Sequence, residues 1–300
     1  MSVYAFKRTR DKTARRLTST LCVSIPPMPS EHPTTSSEAA VSKVGIAAVS
    51  SLAYVLCDLL HELLGHGAAT LLPLGVKAVS VSTIGLSTDF ANPVVAAAGP
   101  LVNLVFSLIL LASSTDRIPP VWRYFAWLFG SINAFNATAY LLYSAILGTG
   151  DWAVAIGSLT SSPLLRPILG FLGLLTYGLA IYASLFFLRR LTAAGIVASS
   201  NADRYCTSSY WVGGILLTAG AALNPISPWF ILTSGAATGF GAMVGLLFLP
   251  PLLRRTSSSS TAVPESLRVS RGWVTAGAVA AVVFVTIFGP GVSLAWLYAK

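Results

Sequence analysis

The chain has 300 residues, of which 54% are hydrophobic and only 10% charged, and its mean hydropathy is +0.74. A soluble domain needs roughly 25% charged residues to solvate its surface, so a water-exposed globule is excluded and lipid is the expected solvent for much of the surface. The formal net charge of +9 does not indicate nucleic acid, because the basic residues form short clusters between apolar runs, an arrangement that suits anionic lipid head groups.

Residues 1–43 differ from the rest. Lys7, Arg8, Arg10, Lys12, Arg15 and Arg16 are followed by a Pro/Ser/Thr-rich stretch, which predicts a disordered cytoplasmic tail. The same Arg-rich, acid-poor composition also suits a transit peptide. Cys22, Cys57 and Cys206 are scattered without a CxxC pair, so they make neither a disulfide framework nor a thiolate metal site.

Seven apolar segments follow, at about 44–72, 92–112, 121–148, 167–188, 211–232, 235–253 and 273–298. Each approaches or exceeds the roughly 20 residues that a helical span requires. Between the third and fourth, 152–160 is apolar but too short to cross. With the N-terminus inside, the inner segments hold all Lys and Arg except Lys77, Arg166 and Lys300, as the positive-inside rule requires. The expected fold is therefore all-α: a polytopic transmembrane helix bundle of about seven spans in the plasma (inner) membrane, with the N-terminus cytoplasmic. It divides into a three-span part (44–160) and a four-span C-terminal region (161–300). Alternation around Val79 and Val81 suggests a short β-hairpin at 76–91.

The first span carries Asp58, His61, Glu62 and His66. Ionisable groups inside a span are costly and usually functional. Two imidazoles with an adjacent carboxylate are what a zinc site uses: the rings hold the ion and the carboxylate moves protons. The common form is HExxH, with both rings on one helix face. In His61-Glu62-Leu63-Leu64-Gly65-His66 the spacing is i, i+5, which puts the rings about 140° apart on a regular α-helix. A π-type turn would absorb the extra residue, and Gly65 makes that easier. The six residues also resemble the HExxxH zinc helix of the dipeptidyl peptidase III family. The alternative reading is a buried polar cluster that joins helices by hydrogen bonds.

The segment Ala96-Ala97-Ala98-Gly99-Pro100-Leu101-Val102-Asn103 opens the second span. Together with the first motif, in that order and spacing, it resembles the site-2 protease family of intramembrane zinc metalloproteases over roughly residues 44–160. In that family an HExxH span precedes an AGPxxN-like helix start, and a later aspartate, usually in Leu-Asp-Gly, is the third zinc ligand. The resemblance implies that His61, His66 and Asp151 hold Zn²⁺ and that Glu62 is the general base. It also places Asn103 where it would hydrogen-bond substrate backbone or the developing oxyanion. Asp151 departs from the family pattern, since it stands in Gly150-Asp151-Trp152, and it also suits an N-cap for the short helix that follows. Asn133 and Asn136 lie earlier in the same span. Asp58, three residues before His61, is a candidate partner to orient an imidazole.

The expected topology puts His61, Glu62, His66, Asn103 and Asp151 all toward the outer side. The expected function is zinc-dependent hydrolysis of a peptide bond in a membrane-embedded protein or peptide substrate whose helix unwinds locally. Two other readings use the same residues: a catalytically inactive relative with a scaffolding or regulatory role, and a transporter with a midplane ion site. Spans four to seven contain almost none of the ionisable groups that a permeation path would need.

Overall fold

The computed structural model describes residues 42–112, 118–157, 162–256 and 267–298. The basic tail expected over 1–43 lies outside them apart from its last two residues. Helices dominate. α1 (Lys43–Leu59) runs without interruption into a π-helix, Leu60–Gly67. Strands β1 (Ala78–Ser82) and β2 (Gly85–Thr88) follow, then α2 (Pro93–Ala112), α3 (Pro120–Leu147) and α4 (Asp151–Gly157). The C-terminal part contains α5 (Leu165–Ala193), α6 (Ala202–Ala222), a π-helix (Ile231–Gly241) leading to α7 (Gly245–Thr256), and α8 (Arg271–Val283), which ends in a further π-turn, Phe284–Phe288.

Among the described residues, five helical segments are long and apolar enough to cross a membrane: Lys43–Gly67, Pro93–Ala112, Leu165–Ala193, Ile231–Arg255 and Arg271–Phe288. A sixth arises if α3 and α4, bent by 69°, count as one. Hydropathy alone led to seven. The difference lies in the fifth segment, expected at 211–232. Its helix starts earlier, at Ala202, and so takes in Asp203, Arg204 and the polar run up to Tyr210. It stops at Ala222, where Pro225 and Pro228 cannot continue it.

α3 is the central helix. Tyr124, Trp127, Leu128, Ile132 and Phe135 are all fully buried, and its neighbours include α1, α2 and α5. Polar bonds join the helices inside this core. Ser50 of α1 meets Ser209 of α6 at 2.8 Å, Tyr124 reaches the same hydroxyl at 3.2 Å, and Trp127 Nε1–H donates to Ser184 O of α5 at 2.9 Å.

The expected hairpin is present and belongs to a three-stranded antiparallel sheet, ordered β2-β1-β3. β3 (Val292–Ser293) comes from the segment expected to remain helical to 298. That helix ends at Phe288, and Pro290 with Gly291 (φ 95°) turns the chain back onto β1. β2 is thus left as an edge strand beside the π-helix Leu60–Gly67.

One close approach sets the spacing of the first two helices. A Cβ on Gly65 would lie 2.5 Å from Gly99 Cα and 2.9 Å from Gly99 N. Only glycine at position 65 lets these backbones meet so closely. Alanine in a helix is ordinarily favoured by about 1 kcal/mol over glycine. We therefore expect Gly65→Ala to reverse that sign and destabilise by about 1–3 kcal/mol through overpacking. Thermal unfolding in detergent checks this by a lowered Tm, and an unchanged or raised Tm would refute the contact.

Candidate metal centre

In the π-helix Leu60–Gly67 backbone bonding runs from i to i+5. Residues five apart then stack above one another, and His61 and His66 share a face. Their ring centroids are 4.7 Å apart, in an edge-to-face arrangement. Both rings are buried, as is Glu62.

Asp151 reaches the pair from the other side. α3 ends at Gly148 in the left-handed conformation (φ 70°), Gly150 adopts φ 88°, and the chain re-enters a helix at Asp151. These two glycines make the sharp bend possible. Arg166 secures it by donating from Nε to Ala145 O at 2.8 Å and from Nη2 to Ile146 O, so the last carbonyls of α3 are held. Asp151 Oδ2 is 3.0 Å from His61 Nε2, and Oδ1 is 3.6 Å from His66 Nε2. Asp151 is the first residue of α4, and its carboxylate is turned to the histidines rather than back onto its own helix.

The far nitrogen of each ring is also bound. His66 Nδ1 is 2.6 Å from Val95 O, an acceptor only, so Nδ1 carries the proton. His61 Nδ1–H donates to Asn103 Oδ1 at 3.0 Å, while Asn103 Nδ2–H donates to Cys57 Sγ at 3.1 Å. On each ring this leaves Nε2 as the nitrogen turned toward Asp151. A lone pair and a carboxylate oxygen 3.0 Å apart repel unless a proton or a cation lies between them.

Asn103 thus occupies a different place from the one expected. It stands one helical turn after Gly99, fully buried behind His61, with both ends of its amide engaged inside the protein. It orients an imidazole and does not face a substrate. Asp58 does not orient a ring, since both nitrogens of each histidine have other partners. Asn133 donates to Phe129 O at 2.8 Å and Asn136 approaches Cys57 Sγ at 3.9 Å, and neither joins the cluster.

Glu62 stands beside the histidines. Its Oε2 accepts the backbone N–H of Leu86 on β2 at 2.6 Å, and its Oε1 lies 3.9 Å from His61 Nε2. Glu62, His66 and Asp151 open onto a cavity of about 600 Å³. β2 lines one part of it, α2, α3 and α4 others, and the π-helix Ile231–Gly241 supplies Thr233, Ser234 and Thr238. Tyr140 of α3 also lines it and stacks on His61, with ring centroids 4.9 Å apart. Leu86, Val95, Tyr140, Cys57 and Arg166 all support the site, and sequence reasoning missed them. Two act through backbone atoms, and the others look like ordinary core or loop residues when read in line.

The donor set suits a tetrahedral divalent ion. Ligands bonded at 2.0–2.1 Å stand about 3.3 Å apart in a tetrahedron; Asp151 brings one oxygen to 3.0 Å from His61 Nε2 and the other to 3.6 Å from His66 Nε2, distances of the same order. All three ligand atoms lie within 4.8 Å of one another. The space they enclose is bounded by Gly99: a Cβ there would fall 2.5 Å from His66 Nε2 and 2.8 Å from His61 Nε2. Comparison of the chain with protein-family models, with characterised proteins and with solved structures returns no match.

Two outcomes follow from this geometry. Gly99→Ala puts a methyl group where the lone pairs converge, so we expect it to abolish metal uptake, measured by metal analysis of the purified protein. Uptake at the wild-type level would show that the histidines do not converge at Gly99. Arg166→Ala frees the bend before Asp151 but touches no ligand, so metal affinity should fall by roughly 10–100-fold, as for other supports of a ligand. An unchanged affinity in a chelator competition would count against the clamp.

Proposed function

We propose that this protein is a membrane-embedded zinc metallopeptidase, similar to the site-2 protease family, that hydrolyses a peptide bond in a transmembrane protein or peptide substrate. The observation that carries the reading is the convergence of His61, His66 and Asp151 beside Glu62, at the edge of a cavity large enough for a peptide segment. The apolar exterior supports a lipid setting. Leu108 and Ile109 of α2, and Phe171, Leu174 and Leu179 of α5, are each more than half exposed. Faces of this extent would aggregate in water. In this reading the six apolar segments and α6 cross the plasma (inner) membrane seven times, starting from a cytoplasmic N-terminus.

His61, His66 and Asp151 would hold the Zn²⁺ ion. When bound, the ion supplies Lewis-acid activation of water and of the scissile carbonyl. Glu62 accepts a proton from water and returns it to the leaving amine. The Leu86 N–H holds one of its carboxylate oxygens, so the other faces the cluster. Asn103 and Val95 O keep both rings as Nδ1–H tautomers, which leaves each Nε2 to bind. β2 offers an edge to which an extended peptide can add by backbone hydrogen bonds. Such pairing suits an unwound membrane segment, because a broken helix leaves backbone groups that lipid cannot satisfy.

The test uses the full chain purified in detergent and a fluorogenic transmembrane peptide with a Gly-Pro break. Wild type is expected to carry about one zinc per chain and to cleave the peptide. His61→Ala should lose the metal. Glu62→Gln should keep it while cleavage falls about 10²–10⁴-fold. Zinc retained with equal turnover in wild type and Glu62→Gln would overturn the mechanism, and a metal-free wild type would overturn the site.

A further inference from the structure

Cys57 lies one helical turn before His61 on α1 and is almost fully buried. Neither metal binding nor proton transfer uses it. Its sulfur accepts Asn103 Nδ2–H at 3.1 Å, and Asn136 Nδ2 approaches at 3.9 Å. The two ends of the Asn103 carboxamide are nearly identical in shape and opposite in hydrogen bonding. As placed, Oδ1 accepts from His61 Nδ1–H. Rotated by half a turn, the NH₂ would face Nδ1, which would have to give up its proton. The ring proton would move to Nε2, the atom turned toward Asp151, and His61 would no longer present a lone pair there. The orientation of one buried amide therefore decides which nitrogen of His61 is free.

An acceptor at the far end of that amide fixes its orientation, and Cys57 Sγ is that acceptor.

We infer that Cys57 is a positioning residue: it fixes the orientation of Asn103, through it the tautomer of His61, and so the affinity of the site for a divalent cation. The last step rests on the metal-site reading above. The experiment separates the two. Full-length apo protein with ¹⁵N-labelled histidine is examined by NMR in detergent at mildly alkaline pH, with the His61 signals identified by their loss in His61→Ala. Wild type is expected to show the Nδ1–H form at His61 and Cys57→Ala a substantial Nε2–H population. Cys57→Ser should keep the wild-type form, since its oxygen still accepts. Zinc titration against a competing chelator should show Cys57→Ala weakened about 10–100-fold and Cys57→Ser close to wild type. In an Asn103→Ala background Cys57→Ala should cause no further loss, because the two act in series. An unchanged tautomer and affinity in Cys57→Ala, or the same loss with and without Asn103, would overturn the inference while leaving the zinc site intact. If the tautomer shifts as stated but wild type takes up no zinc, the Cys57–Asn103–His61 relay stands and the zinc reading falls.

Discussion

In the stretch Leu60–Gly67 the backbone closes i to i+5 bonds, and this one departure from the α-helix aligns two imidazoles that a regular turn would point about 140° apart. A π-turn is not the backbone's preferred state, so something must hold it. Here the neighbouring elements do. Val95 O binds His66, Asn103 binds His61, and the Leu86 N–H binds Glu62. The contact of Gly65 with Gly99 then presses α2 against the same turn. Each of the three polar side chains in the turn is tied to a different place in the chain.

The same economy explains the buried polar atoms. A charged or polar group in an apolar interior is costly unless it is paired. The supporting shell binds Nδ1 of each histidine and turns Nε2 toward Asp151, and it leaves Glu62 with one held and one outward oxygen. The groups the shell does not hold converge on Asp151 and the cavity. Two imidazole Nε2 atoms and a carboxylate face one another there, and either a proton or a cation between them satisfies the set.

Much of this was legible in the sequence, and the limits have physical causes. The histidines and Glu62 stood out because charge inside an apolar run is rare, and the odd spacing with Gly65 already implied a π-turn. Asp151 was found through a motif, as the only carboxylate at the right end of the third span, but the bend that delivers it depends on Gly148, Gly150 and a clamp from Arg166 on another helix. Asn103 was recognised and given the wrong orientation, because spacing does not tell which way a buried amide faces. The Leu86 N–H and Val95 O are backbone groups, so no residue type marks them. Tyr140 and Cys57 read as core. β3 was missed because a strand pairing so far along the chain has no local signal, and α6 was displaced because the prolines that end it outweigh hydropathy.

X-ray absorption at the zinc edge of the metal-loaded, purified full chain tests the central claim most directly, because it identifies the atoms around the ion without reference to activity. The account predicts light-atom scattering at about 2.0–2.1 Å with the outer-shell pattern of two imidazoles and no sulfur. A sulfur shell near 2.3 Å, or the absence of imidazole scattering, would contradict it.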